Sequence, residues 1–409
     1  MGIVENAYVS GVSIAATPFP PRAFWPWCGE PLPKAFCRLY PHTAGHHLSR
    51  LYEKGRVALR ALFEQLQADR GKTTVILPAY GAESLFYAAI AAKLRIALCD
   101  VDLADTLFDL NQLESLIKTR RGSVLAAVLP YNWGAIDLEK TRAVHRLLEG
   151  DGIVCVDDFA QTQPLGPDLV AYHNRHSAVS LFSFSGTKIL SCLHGGLLAF
   201  QAADRLGLRS EPRGRGLVQR RLYTRHTLVE WLAGEIGKRR TVARRYGKYG
   251  VEYDQYPTRI SVPYVVLSEG WERVLARLIA DHHQSLRDTR LAHNKRYLQL
   301  FQGTAVQTFE SAQAEAVGAR YMVVFPSRES RDACQNRLFL HRFWTSRGFV
   351  HMIPHVDCIV PYLSEEDKDE HRFPNALVLE NRLLTFPNHY LMREVDFDLV
   401  NEVLRQLAV

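Results

Sequence analysis

The sequence predicts an α/β fold, with a mostly parallel central sheet flanked by helices and a smaller α+β domain after it. Three observations point there. Between residues 74 and 200, short apolar runs alternate with amphipathic segments, the pattern of strands buried on both faces and covered by helices. After about residue 249 that rhythm changes. A chain of 409 residues is also long for a single core, so two domains are expected.

Residues 1–45, with their TPFPPRAFWPWCGEPLPKAF stretch, read as an irregular arm packed on the body or on a partner subunit. Clustered tryptophans are rarely left in water. The large domain is expected over 46–249 and the small one over 250–409. His47–Asp69 carries a helical pattern through Leu51, Val57, Leu59, Leu62, Phe63 and Leu66. Gly55 interrupts it and marks a candidate start for the helix. Strands are expected at Thr74–Pro78, Ile96–Val101, Val124–Pro130, Ile153–Val156, Val179–Phe182 and Gly196–Phe200. Helices are expected at Glu83–Lys93, Leu110–Lys118 and Leu138–Glu149. The small domain reads as a long helix Gly270–Leu300, a strand Arg320–Phe325, a helix Asp332–Ser346, a strand Leu383–Pro387 and a closing helix Asp396–Leu407.

Composition narrows the class. Apolar content of 47% and charged content of 23% are those of an ordinary soluble domain. No apolar run reaches the length of a membrane span, and the N-terminus lacks the basic start and apolar core of a secretory signal. Seven cysteines, with no CxxC pair, read as reduced, cytoplasmic usage; Cys99 and Cys155 lie in apolar runs and are expected to pack as small hydrophobes. The net charge of +7 is concentrated between Arg205 and Lys248. That segment reads either as a solvated face or as an attraction for an anionic substrate such as a nucleotide diphosphate. No recognisable nucleic-acid-binding motif accompanies it, so neither nucleic acid nor a membrane is an expected partner. His351 and His355 have metal-like spacing with Asp357 nearby, but Pro354 argues against a regular helix there. They read as ordinary loop histidines, and no metal is expected.

The chemistry concentrates in two stretches. Asp157-Asp158-Phe159-Ala160-Gln161 follows one apolar run, and Ser183-Phe184-Ser185-Gly186-Thr187-Lys188 follows another. In parallel sheets ligands collect at the carboxyl ends of strands. A carboxylate, an amide, a hydroxyl and an amine at such ends suit pyridoxal 5'-phosphate, whose ring nitrogen takes an acid and whose aldehyde takes a lysine. Asp158 has a plainer reading as a helix or turn cap, a role Asp157 is also able to fill. A lysine in a desolvated pocket loses its proton readily and forms a Schiff base.

The stretch VCVDDFAQTQPLG, followed by SLFSFSGTKILSCLHGGLLAF, resembles the DegT/DnrJ/EryC1/StrS family, the sugar aminotransferases among fold-type-I pyridoxal-phosphate enzymes. VILPAYGAESLFYAAI, ALCDVDLADTLFDLNQLESLI and VLPYNWGAIDLEKTRAVH are similar to upstream family segments. NRLLTFPNHYLMREVDFDLVNEVLRQL is similar to the closing one. The resemblance implies Lys188 as the Schiff-base lysine and proton shuttle. It also implies Asp158 at the ring nitrogen, Gln161 near the ring oxygen and Ser183 on the phosphate. Lysine in this slot, where some relatives carry histidine, favours transamination over dehydration. A small amino donor, glutamate in the first instance, a keto acceptor plausible as a nucleotide-linked sugar, and a homodimer are further implications. The sequence departs from the pattern at Lys54-Gly55-Arg56, where small hydroxyl residues are usual. Gly55 keeps the helix start open to phosphate, and Arg56 supplies a charged contact in their place. Ala82 stands where the stacking aromatic belongs, with Tyr80 as the candidate substitute. The cross-subunit loop is matched only by Pro257-Thr258-Arg259-Ile260-Ser261. These departures leave open a specialised enzyme acting on an amino acid or other small metabolite, or a cofactor-binding regulator without turnover.

Overall fold

The computed structural model describes residues 31–184, 188–190, 194–201, 219–221, 260, 262, 264–267, 269–309, 316–341, 343–389 and 392–407. Its large sheet contains β1 (His47–Leu48), β2 (Thr74–Pro78), β3 (Arg95–Cys99), β4 (Val124–Pro130), β5 (Val154–Asp158), β7 (Val179–Ser183) and β8 (Gly196–Phe200), in the order β1-β8-β7-β5-β4-β2-β3. The five strands from β3 to β7 run parallel, β8 is antiparallel to β7, and β1 is antiparallel to β8. The short β6 (Thr162–Pro164) leaves this sheet and pairs with a later segment.

Both faces of the sheet are covered, as the apolar runs required. Val75, Leu77, Val154, Val156, Leu198 and Phe200 point into one core. Helices α2 (Gly55–Arg70) and α3 (Glu83–Ala91) cover that face. Ile76, Ala127, Leu129, Cys155, Leu197 and Ala199 point into the other. There α1 (Leu32–Leu39), α4 (Leu110–Thr119), α5 (Leu138–Gly150), α6 (Pro167–His176) and the start of α7 (Glu269–Phe301) pack. Alternation with a period of two assigns the faces. Cys99 and Cys155 are buried in the second core, as expected of small hydrophobes.

The smaller unit is a three-stranded antiparallel sheet of β11 (Gln307–Thr308), β13 (Arg320–Val324) and β14 (Leu383–Pro387). It packs with the end of α7, α8 (Arg328–Leu340) and α10 (Glu394–Leu407); α9 (Pro374–Arg382) leads into β14. Tyr321 and Val323 enter its own core, whereas Met322 and Val324 turn to the large-domain core. A second link is covalent in neither direction: β12 (Ala316–Gly318) pairs with β6, joining the two sheets' neighbourhoods by backbone hydrogen bonds.

Several expected elements move. The helix expected from His47 begins at Gly55. Residues 47–54 are extended instead, because they pair along β8: Tyr52 exchanges two 2.8 Å backbone bonds with Gly196. Their other edge meets β10 (Val265–Leu267), which pairs with β9 (Gln219–Arg221). The helix expected at 332–346 spans Arg328–Leu340, started by a reciprocal Ser327–Ser330 capping box. Within the supposed irregular arm, α1 is a regular helix. Leu32, Ala35, Phe36 and Leu39 form its buried stripe, and it packs on α7. The α6 and α9 helices were not anticipated, although each starts on a proline, Pro167 or Pro374, a favoured first helical residue. The basic segment Arg205–Lys248, apart from the β9 backbone, lies outside the described residues, as do 185–187 and the 257–261 loop except Ile260.

The crossing of residues 53–55 over β8 tolerates no side chain. A Cβ at Gly196 would lie 2.2 Å from the Lys54 carbonyl carbon and 2.4 Å from the Gly55 nitrogen. Both are backbone atoms, which do not rotate away. Gly196→Ala is therefore expected to destabilise the protein by about 1–3 kcal/mol, read as a lower midpoint in chemical denaturation; an unchanged midpoint contradicts this packing.

Candidate active site

Three strand ends meet where β4, β5 and β7 finish. Pro130 of β4 is level with Asp158, and Asp158 is level with Leu181 of β7. Ser183, two residues on, closes β7 opposite Gly196. The crossing described above sets the start of α2 against that same end. A Cβ on Gly55 would be 3.4 Å from Ser183 Cβ and 3.7 Å from its Oγ. No side chain caps this helix, so its first N–H groups lie beside the Ser183 hydroxyl, donors of the kind that hold an anion. Arg56 is the second residue of the helix. It is half-buried and, among the described residues, has no hydrogen-bond or ion-pair partner.

The two aspartates at the end of β5 point to opposite sides and have opposite electrostatics. Asp157 is fully buried. Its Oδ1 accepts from Tyr131 Oη at 2.7 Å and from His145 Nε2 at 3.0 Å, and its Oδ2 accepts from Ser177 Oγ at 2.5 Å. Burial alone would raise its pKa, but the charge and hydrogen bond of His145 hold it well below the usual carboxylate range. It is thus a structural anion and not the cap considered for it. Asp158 is 8% exposed. Among the described residues it accepts only the Ala160 N–H, at 2.9 Å. Burial pushes its pKa up to about 6, against the opposing pull of Ala160 N–H and Lys188. Phe159, next in the chain, is stacked on Tyr131 with centroids 4.8 Å apart and on Phe182 at 5.8 Å, which stiffens the end of the strand.

Lys188 faces this carboxylate across the cleft. Burial lowers its pKa, the Asp158 carboxylate pulls it up, and the Arg320 guanidinium from β13 lowers it again. The amine is therefore more often neutral, and nucleophilic, than a surface lysine. Gln161 sits in the turn between β5 and β6, half-buried. Its carbonyl accepts the Ala319 N–H at 2.9 Å, and its side-chain amide has no partner among the described residues. Tyr80 is placed differently from the expectation of a stacking ring. It has no accessible surface. Its hydroxyl donates to the Arg347 and Phe349 carbonyls at 2.9 and 3.0 Å, and its ring packs edge-on to Phe349. It is a domain-seam residue with no open face. His351 and His355 both reach the Glu380 carboxylate, at 3.0 and 2.9 Å, so they are paired loop histidines.

One residue went unnoticed in the sequence. Arg290 of α7 is 1% exposed. Its guanidinium donates to the carbonyls of Ile189 (3.3 Å), Gly318 (3.3 Å), Ala319 (3.2 Å) and Asn388. Among the described residues no carboxylate pairs with it, and burial lowers its pKa to about 9. It ties the peptide beside Lys188 to both strands of the small-domain side. The signal was its spacing: Leu286, Arg290, Asn294, Tyr297 and Phe301 form the buried stripe of α7, where a charge is out of place.

The fold is that of the fold-type-I pyridoxal-phosphate enzymes. Residues 45–206 match the model of the DegT/DnrJ/EryC1/StrS aminotransferase family, a segment that contains Asp158, Gln161, Ser183 and Lys188. The family resemblance is borne out over that segment, which is about two fifths of the chain. No curated protein matches the chain by sequence. Solved structures share its fold at low identity. Spr1654 of Streptococcus pneumoniae in its PMP form is 15% identical, with TM-score 0.67, and covers 93% of this chain and 92% of its own. The sugar aminotransferase CalS13 of Micromonospora echinospora is 17% identical, with TM-score 0.63 and coverages of 98% and 95%. A DegT/DnrJ/EryC1/StrS aminotransferase of Brucella abortus is 18% identical, with TM-score 0.62 and coverages of 99% and 95%. Among the described residues no helix is long and apolar enough to cross a membrane.

Two outcomes follow from this geometry. Arg290→Met leaves four buried carbonyls without a donor, and stability is expected to fall by about 1–3 kcal/mol together with cofactor affinity; denaturation and cofactor titration read both. Because Asp158 titrates near 6, cofactor affinity of the wild type is expected to fall as pH drops through that value. Asp158→Asn should bind weakly and with no such step, as measured by equilibrium titration between pH 5 and 8.

Proposed function

We propose that the protein transfers an amino group from glutamate to a keto group on a nucleotide-linked sugar, with Lys188 as the catalytic base and acid. The observation that carries this reading is the pairing of a desolvated lysine with a desolvated aspartate at the carboxyl ends of two adjacent strands. The donor set also fits the cofactor end to end. Ser183 and the open start of α2 would hold the phosphate, joined by Arg56. Asp158 would hold a proton on the ring nitrogen, and Gln161 would donate to the ring oxygen. When bound, pyridoxal phosphate supplies an aldehyde that carries amino groups and a ring that accepts an electron pair.

The chain's own residues then have separable tasks. Lys188 Nζ, neutral more often than a free amine, would hold the cofactor through its aldehyde and would take up and return a proton at the substrate carbon. Asp158 Oδ would keep the proton on the ring nitrogen, an attraction that burial strengthens. Arg320, whose charge reaches Lys188, keeps the seam between the domains cationic, an environment suited to the carboxylate of an amino donor or to a diphosphate. A homodimer belongs to the same reading, and light scattering of the purified protein reads it directly.

The test is a half-reaction. Purified with pyridoxal phosphate, the protein is expected to be yellow, and glutamate should bleach the colour. A keto-sugar nucleotide should restore it. Lys188→Ala should show no visible band and lose activity by ~10³-fold or more, as expected when a covalent and proton-transferring group is removed. Restoration by simple keto acids and not by keto-sugar nucleotides would move the substrate to a small metabolite. Failure to respond to any amino donor would leave a cofactor-binding regulator.

A further inference from the structure

A broad basin of about 900 Å³ opens at the end of the sheet opposite the active site. Its floor contains Val154 and Cys155 at the start of β5, and Ala178 and Gln201 beside the near ends of β7 and β8. Asp158 closes the other end of β5, four residues and ~13 Å along the strand from Val154. The basin therefore shares a strand with the catalytic cleft but no opening.

Its walls are cationic. Arg70 comes from the end of α2, Arg142 and Arg146 from α5, and Arg175 from α6. Two of the four are already engaged. Arg70 donates to the Gly152 carbonyl at 2.9 Å. Arg142 bonds Glu139 and lies 5.5 Å over the Tyr172 ring. Arg146 and Arg175 have no hydrogen-bond or ion-pair partner among the described residues. Two carboxylates, Glu149 and Asp168, also line the basin, yet neither forms an ion pair with any of these arginines. The wall behind them is stiff. Tyr172 is stacked on His145 (5.5 Å) and on His176 (4.6 Å). Its hydroxyl bonds His145 Nδ1 at 3.0 Å, and His145 Nε2 is anchored on the buried Asp157. Fixed imidazole and phenol rings flanked by guanidinium forks are a composition suited to binding phosphate. None of these groups takes part in the amino-transfer chemistry above.

We propose that this basin is a second ligand site, for a small anion carrying a diphosphate group, with Arg146 and Arg175 as its two unpaired forks and the Tyr172 stack as its wall. The group arrives either as free pyrophosphate or on a nucleoside diphosphate. Both present the paired, closely spaced charges that two guanidinium groups on neighbouring helices meet bidentately.

Calorimetric titration of the holoenzyme tests this, because the bound cofactor already fills the phosphate corner at Ser183. Pyrophosphate is expected to bind, and the Arg146→Ala/Arg175→Ala double variant to bind at least ~10-fold more weakly, the loss of one or more charge-assisted contacts. Cofactor absorbance and the glutamate half-reaction should stay unchanged in that variant, which shows it folded. Asp168→Asn, which removes a rim anion, should tighten binding. A nucleoside diphosphate that outcompetes pyrophosphate in the wild type and not in the double variant identifies the nucleotide as the source; equal affinities identify the diphosphate alone. Equal pyrophosphate affinity in wild type and double variant overturns the proposal. So does binding of a single-stranded oligonucleotide at this face with no pyrophosphate binding.

Discussion

Two oppositely charged groups, Asp158 and Lys188, share a desolvated cleft without neutralising each other completely. Burial raises the pKa of one and lowers that of the other, so the charged form of each is less favoured than it would be in water. Such an arrangement costs stability and persists only when the surroundings fix it. Much of the molecule can be understood as that fixing. Parallel pairing sets Asp158 level with Leu181. The glycine crossing at Gly196 seats the open start of α2 beside Ser183. Arg290 fastens the peptide next to Lys188 from the far side.

The pair Asp157–Asp158 shows how one strand separates structure from chemistry. Successive side chains point to opposite faces. Asp157 turns to α5 and α6, where Tyr131, His145 and Ser177 satisfy it. Asp158 turns to the cleft, where a single backbone N–H leaves it capacity for a ligand. The first anchors the end of β5, and the second is the one proposed to act there. A buried, fully hydrogen-bonded carboxylate next to a deliberately under-satisfied one is a division of labour that neither residue type discloses alone.

The sheet was legible because its strands are apolar throughout and separated by amphipathic helices, and because Asp158 and Ser183 close two of its strands, with Lys188 five residues beyond the second. What was hidden depended on long-range partners. Residues 47–54 have a helical apolar pattern but are claimed by β8, since Gly196 there admits a neighbouring backbone. The α1 helix was concealed in a proline- and aromatic-rich text, although Leu32, Ala35, Phe36 and Leu39 keep helical spacing. Tyr80 was read by chain position as a stacking ring, whereas the small domain covers it completely. Arg290 has no motif; only its place in a buried stripe, 98 residues before the Asn388 it bonds, reveals it.

The central claim is that Lys188, and no other lysine, is the amine that takes the cofactor. Borohydride reduction of the cofactor-loaded protein, followed by peptide mapping in a mass spectrometer, addresses it most directly. The account predicts a single pyridoxyl modification on Lys188. Modification of a different lysine, or none under conditions where the cofactor is bound, would contradict it.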